Sequence, residues 1–160
     1  MKFISNSNQL SKFLQKPIKK NIKIRSISID TRTLKKNSLF IAIKGASLNG
    51  NDYVNEALKK GACLVITDNK KFKDSKNTKL IFVNNSLTAL KKIAKNIIKD
   101  YGGNVIGITG SNGKTTTTRI ISNSLERSSR TIKNFNNEIG MPLSIMNANP
   151  KSKNLVIEMG

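Results

Sequence analysis

The sequence predicts an α/β protein in two parts: a small N-terminal α/β domain over residues 1–101 and the start of a parallel-sheet domain over 102–160. Three observations predict it. Short β-branched runs alternate with segments of helical spacing, Tyr101-Gly102-Gly103 breaks a long amphipathic helix, and a new strand–turn–helix unit opens directly after that break.

The elements follow in order. Ile22–Ile29 and Ser38–Ile43 read as strands joined by a polar turn, Asp30–Asn37. Asp52–Lys60 has helical spacing, with Tyr53, Val54, Ala57 and Leu58 on one face and Gly61 as a stop. Ala62–Thr67 and Lys79–Val83 read as two more strands, connected by a lysine-rich loop. Ser86 is the predicted cap of the amphipathic helix, in which Leu87, Leu90, Ile93, Ala94, Ile97 and Ile98 recur at steps of three and four. After the break, Asn104–Thr109 is a continuous apolar strand of the kind buried on both faces of a parallel sheet. Gly110-Ser111-Asn112-Gly113 turns the chain, and Lys114–Leu125 reads as a helix with Ile120 and Ile121 inward. An Asn-rich loop, a short helix after Pro142 and a last strand, Asn154–Glu158, complete the chain.

Composition narrows the functional classes. The apolar fraction of 37% and charged fraction of 24% fit a globular chain rather than a disordered one. Histidine is absent, which removes the commonest general base, zinc ligand and pH switch together. Cys63, the single cysteine, lies in an apolar run and reads as a small buried hydrophobe in a reducing compartment. The formal charge of +20 comes from 24 Lys and 5 Arg, and the chain carries 21 Asn and 21 Ile besides. Joint enrichment in Lys, Asn and Ile reads as codon bias. The lysines are scattered, and arginine, which reads phosphates and bases bidentately, is scarce; no specific nucleic-acid partner is assigned. No apolar run is long enough to span a bilayer and Met1–Leu14 has no signal-peptide pattern, so the reading is a cytoplasmic protein without membrane insertion, expected to be monomeric.

The segment Thr109-Gly110-Ser111-Asn112-Gly113-Lys114-Thr115-Thr116 carries the most chemistry. Glycine at 110 and 113 permits positive φ and close backbone approach, so successive amide N–H groups can converge on phosphate oxygens. The helix that follows presents its own N–H groups and positive dipole end to the same anion. Lys114 can reach the β- and γ-phosphates of ATP, and the Thr115 hydroxyl can ligate Mg²⁺. The spacing is shorter than the general G-x-x-x-x-G-K-[ST] loop, because Ile108 stands five residues before Gly113.

This T-G-S-N-G-K-T-T stretch after an apolar strand closely resembles the phosphate loop of the Mur ligases, the ATP-dependent amide-forming enzymes of peptidoglycan synthesis. Asn134-Phe135-Asn136-Asn137-Glu138-Ile139-Gly140-Met141-Pro142 is similar to the N-x-N-N-x-I-G-x-P stretch of the branch that joins D-alanyl-D-alanine to UDP-N-acetylmuramoyl-tripeptide. Lys133 stands where that branch commonly has glycine. Ser28-Ile29-Asp30-Thr31-Arg32 and Ser38–Gly45 resemble the segments with which the family holds its UDP-sugar, and Asn49-Gly50-Asn51-Asp52-Tyr53 lies where it often reads D-G-H-D-F.

The resemblance implies UDP-sugar contacts from Ser28, Asp30, Thr31 and Arg32, further contacts from Asn136 and Asn137, and ATP cradled by residues 109–116. Lys114 would neutralise the γ-phosphate, and Thr115 and the strand-end Glu158 would hold Mg²⁺. It implies transfer of the γ-phosphoryl group to the peptide carboxylate, then attack of the D-alanyl-D-alanine amine on the acyl phosphate. It covers about the first third of the family's architecture, so the adenine-binding residues, the remaining metal ligands and a C-terminal domain are expected after residue 160. The 160 residues alone are expected to bind ATP weakly and not to ligate. The tripeptide-forming Mur ligases and the related folylpolyglutamate synthases are rival readings within the class. Outside it stand a non-catalytic UDP-sugar or nucleotide module and, on charge alone, a nucleic-acid-associated phosphate-loop protein.

Overall fold

The computed structural model describes residues 2–45, 47–131 and 137–160. Contacts gather them into two units, 5–90 and 1–4 together with 91–160.

In the first unit four parallel strands lie in the order β1 (Ser26–Ser28), β2 (Ser38–Ile41), β3 (Leu64–Thr67), β4 (Leu80–Phe82). Every residue of β2 and β3 is buried, as the two continuous apolar runs require of central parallel strands. Phe40, Ala42 and Val65 pack with Val54, Ala57 and Ala62 from helix α2 (Val54–Lys59) and the strand start after it. A one-turn 3-10 helix, Gly50–Tyr53, leads into α2. Cys63 is buried, its thiol donating to the Ser38 carbonyl at 3.3 Å, and burial pushes its pKa up.

Helix α1 (Ser7–Leu14) was not legible as an element. Its apolar positions are only Leu10, Phe13 and Leu14, and its start is set by side chains: Asn6 Oδ1 accepts from Gln9 N–H, while Gln9 Oε1 accepts from Ser5 N–H.

Helix α3 (Ser86–Asp100) buries Ala89, Leu90, Ile93, Ala94 and Ile97, the stripe its spacing predicts. Its cap is Asn85 and not the expected Ser86. Asn85 Oδ1 accepts from Thr88 N–H at 2.7 Å, whereas Ser86 is fully buried inside the first turn and its hydroxyl has no hydrogen-bond partner. Both residues are cap formers, and the register of the buried stripe selects the earlier one.

In the second unit three parallel strands lie in the order β5 (Asn104–Ile108), β7 (Asn154–Glu158), β6 (Ser128–Arg130). β7 is central and wholly buried. β5, expected to be covered on both faces, instead lies at the sheet edge with Val105 44% exposed, because only β7 pairs with it among the described residues. Helix α4 (Lys114–Ser124) follows the glycine turn. Ile120, expected inward, is 58% exposed, Ile121 is half-buried, and the buried residue is Thr118. β6, a polar Ser-Ser-Arg strand, has no apolar signature and was missed. Helix α5 (Gly140–Asn147) buries Pro142, Leu143, Ile145 and Met146, and it starts two residues before the predicted proline. No helix among the described residues is long and apolar enough to cross a membrane.

Candidate functional site

The first unit holds a cavity of about 330 Å³. It forms where the chain leaves the C-terminal ends of the parallel strands, the end of an open α/β sheet at which ligands bind. Its apolar lining is Ile29, Phe40, Leu48 and Tyr53, and its polar lining is Asp30, Thr31, Arg32 and the Gly50 backbone.

The polar side is built by local hydrogen bonds. Ser28 Oγ accepts from Asp30 N–H at 3.1 Å and donates to the Asp30 carbonyl at 3.0 Å, turning the chain as β1 ends. Asp30 Oδ1 accepts from the backbone N–H and Nε of Arg32 at 2.9 and 3.0 Å, and Oδ2 accepts from Nη2 at 2.7 Å. The Arg32 guanidinium holds the Asp30 carboxyl below the usual carboxylate range. The Arg32 side chain is 82% exposed, and a guanidinium has five N–H donors, so donors remain beyond those given to Asp30.

Thr31 is buried, and its carbonyl accepts from Lys60 Nζ at 3.1 Å. Lys60 also pairs with Glu56 one helical turn earlier, at 2.8 Å, and that pairing, helped by a hydrogen bond from Thr31, lowers the Glu56 pKa. The four predicted residues therefore come together: Asp30, Thr31 and Arg32 line the cavity and Ser28 sets the turn that carries them. Of the apolar wall, Ile29, Phe40 and Tyr53 lie in segments that carry the family resemblance, Tyr53 reading also as helix face, whereas Leu48 carries no sequence signal. Glu56 on α2 and Lys60 just past its end gave no signal that Thr31 is what they hold.

The second unit holds the glycine loop. Gly110 has φ +146° and Gly113 φ +76°, both in the region that disfavours side chains. Lys114 Nζ lies across the loop, donating to the Gly110 carbonyl at 2.6 Å and more weakly to Ser111 at 3.4 Å. Gly113 gives α4 no side-chain cap, so the N–H groups of its first turn receive no bond from that position. Ser111, Asn112, Thr115 and Thr116 are exposed on and after this turn, and Thr109 is exposed at its entry.

Glu158 ends β7 in register with Ile108, the residue from which the loop leaves β5, and it is 3% exposed. Its N–H donates to Thr131 Oγ1 at 2.9 Å. Thr115 and Glu158 offer a hydroxyl and a carboxylate, hard oxygen donors of the kind that hold Mg²⁺ together with phosphate oxygens and water. Among the described residues no three His, Cys, Asp or Glu side chains cluster as a metal site, so a cation here would depend on the nucleotide for further ligands.

Asn137 Oδ1 accepts from the N–H groups of Ile139 and Gly140 at 3.1 and 2.8 Å, which commits that atom to the start of α5. Asn136 lies outside the described residues.

Two family models cover most of the chain: the Mur ligase family catalytic domain matches residues 23–101 and the Mur ligase middle domain residues 108–160. The UDP-N-acetylmuramoyl-tripeptide–D-alanyl-D-alanine ligase of Bacillus subtilis is 39% identical over 140 residues, 86% of this chain and 31% of that protein. The ligase of the same name from Buchnera aphidicola is 37% identical over 143 residues, 88% of this chain and 31% of its own. A 2,6-diaminopimelate-adding ligase from Rickettsia typhi is 41% identical over 95 residues, covering 59% of this chain and 19% of its own.

Among solved structures, the MurF ligase of Thermotoga maritima in complex with ADP superposes with a TM-score of 0.72 at 35% identity, over 84% of this chain and 32% of that one. A MurF of Acinetobacter baumannii reaches 0.80 over 96% of this chain and 35% of its own; at 24% identity it speaks to the fold alone. The chain spans about a third of the length of the curated relatives it matches. With both domain models matched in their order and the glycine loop closing the strand-to-helix turn at the head of the second, the chain belongs to the Mur ligase family.

Proposed function

We propose that these residues are the UDP-sugar-binding and phosphate-binding portion of an ATP-dependent ligase that adds D-alanyl-D-alanine to UDP-N-acetylmuramoyl-tripeptide. The functional division falls at Tyr101/Gly102, and the enzyme acts as a monomer in the cytoplasm. The observation that carries the reading is the loop: glycines at positive φ, a lysine lying across it, and an uncapped helix start. Such a turn is made to receive a phosphate chain.

The residues divide the work. In the cavity, Arg32 takes the diphosphate of the sugar nucleotide, held in place by Asp30, while Tyr53, Phe40 and Leu48 take its flat ring. At the loop, the N–H groups of 110–116 and Lys114 bind and orient the ATP phosphates. Thr115 and Glu158 would hold Mg²⁺, which when bound supplies charge neutralisation between phosphate oxygens. A carboxylate oxygen of the tripeptide attacks the γ-phosphorus and ADP leaves, giving an acyl phosphate. The amine of D-alanyl-D-alanine then attacks the acyl carbon; the C–N bond forms, inorganic phosphate leaves, and the nitrogen loses a proton. Catalysis of this kind is positioning plus electrostatic stabilisation of charge spread over phosphoryl oxygens, which the loop N–H groups and Lys114 can supply.

The test is phosphate release by the ligase that carries these residues. It should require ATP, UDP-tripeptide and D-alanyl-D-alanine together, and Lys114→Ala should abolish it. Equal turnover in that variant would remove the loop from the mechanism. Turnover with a free diamino acid in place of the dipeptide would assign the chain to the tripeptide-forming branch, to which it is also similar.

A further inference from the structure

Gly50 and Tyr53 both line the cavity, and both belong to the single 3-10 turn Gly50–Tyr53. One such turn has little stability of its own. It is fixed from outside at two points. Gly50 N–H donates to the Ile43 carbonyl at 2.8 Å, seating the turn on the continuation of β2.

The second point is Asn51, whose residue is only 6% exposed. Its Nδ2 donates to Asp68 Oδ1 at 2.6 Å and to Asn49 Oδ1 at 3.1 Å, and its Oδ1 accepts from Thr67 Oγ1 at 2.7 Å. Asp68 completes the link: its Oδ2 accepts from the N–H of Ser86, the first residue of α3, at 2.9 Å. One carboxamide thus ties the cavity wall to the end of β3 and, through Asp68, to the start of α3.

We propose that Asn51 is a positioning residue of the sugar-nucleotide cavity, holding Gly50 and Tyr53 where the ligand needs them. This deepens the reading of the cavity given above and rests on it. The chemistry explains the residue type. Asp68 can only accept and Thr67 donates, so position 51 must donate on one side and accept on the other, which a planar amide does in one group. Aspartate at 51 would set two carboxylates face to face. Leucine would leave the Thr67 hydroxyl and the Asp68 carboxylate unpartnered on that side, and buried polar groups without partners are costly.

The experiment uses the full chain, UDP as the probe, and the ring signals of ¹³C-labelled tyrosine. Tyr53 and Tyr101 are the only tyrosines, so a Tyr101→Phe spectrum assigns both. Asn51→Leu should weaken UDP binding by about tenfold or more, the scale of an unpaired buried polar group, and move the Tyr53 signal while Tyr101 stays. Asn51→Asp should do the same at neutral pH. The exchange Asn51→Asp with Asp68→Asn restores the donor–acceptor pair between 51 and 68 at unchanged net charge while giving up the bond to Asn49 Oδ1, and should recover part of both the Tyr53 signal and the UDP affinity.

Leu14→Ala, buried in α1 and outside the cavity, is the control for lost stability. The proposal is overturned if Asn51→Leu leaves Tyr53 and UDP affinity unchanged, if Leu14→Ala moves them as far, or if the exchange rescues neither. UDP binding in the wild type with no response to Asn51 variants would sink this inference and leave the cavity reading intact. Absence of UDP binding in the wild type would sink the cavity reading, and the Tyr53 signal alone would then decide whether Asn51 sets the wall.

Discussion

Gly113 offers a clean test of the phosphate loop because only its backbone angle is special. Its φ is +76°, and a Cβ built there meets nothing nearer than Thr117 Oγ1 at 4.0 Å. A side chain at 113 therefore costs conformational energy and almost no steric energy. An L-residue in the left-handed region costs about 1–2 kcal/mol, less for Asn, which bonds locally to its own backbone, and more for a β-branched residue. The loop is exposed from Gly110 to Gly113, so this strain is relieved by local rearrangement rather than by unfolding.

The loss should consequently fall on anion binding. Gly113→Asn should weaken ADP binding least, Gly113→Ala by about 5–30-fold, the equivalent of 1–2 kcal/mol, and Gly113→Val most. The assay is an NMR titration with ADP, which reads millimolar affinities, beside a thermal melt that should hardly move. Equal ADP affinity across the series, or a ranking by side-chain volume instead of left-handed tolerance, would refute the argument that the loop's shape binds the phosphate.

Lys114→Met should lower ADP affinity by about 10–150-fold, the worth of a charge-assisted hydrogen bond, and leave the melting temperature unchanged, since Lys114 contacts only exposed loop carbonyls. Arg32→Ala should weaken UDP binding and let the Asp30 carboxyl titrate nearer its ordinary value, as read by carboxyl ¹³C shifts. Asp30 is held below its unfolded pKa, so the wild-type pairing contributes above that value and is lost as pH falls through the folded one; the variant should show less acid sensitivity in that window. Phe40→Ala, at a residue 1% exposed in the centre of the first sheet, should cost about 3–5 kcal/mol in urea unfolding, with the m-value unchanged.

Much of the fold was legible because the central strands are read by composition alone. Leu39–Ile43 and Ala62–Ile66 are continuous apolar runs, and only a strand covered on both faces tolerates them. The same rule misread β5, whose run is equally apolar but whose residues are all exposed or half-buried, with only β7 paired to it among the described residues. Periodicity found the buried stripe of α3 yet not its cap, since Asn85 and Ser86 are both cap formers and differ only in register. α1 and β6 were invisible because side-chain hydrogen bonds and strand pairing make them, rather than apolar pattern.

The site shows a similar division. The loop was legible because its glycines, lysine and threonine are contiguous. The cavity was half legible: Asp30–Arg32 form a local turn, whereas Gly50 and Tyr53 sit on a turn anchored by the Gly50–Ile43 backbone bond and by the bonds of Asn51 to Thr67 and Asp68, which join residues 16 and 17 positions apart.

Titration with UDP-N-acetylmuramoyl-tripeptide, followed by amide shifts, bears on the proposed sugar-nucleotide site without any need for turnover. Saturable shifts should concentrate at Asp30, Thr31, Arg32, Gly50 and Tyr53, most of them reproduced by UDP alone and lost in Arg32→Ala. Saturable shifts that spare these five residues, or no binding at all, would contradict the proposed site.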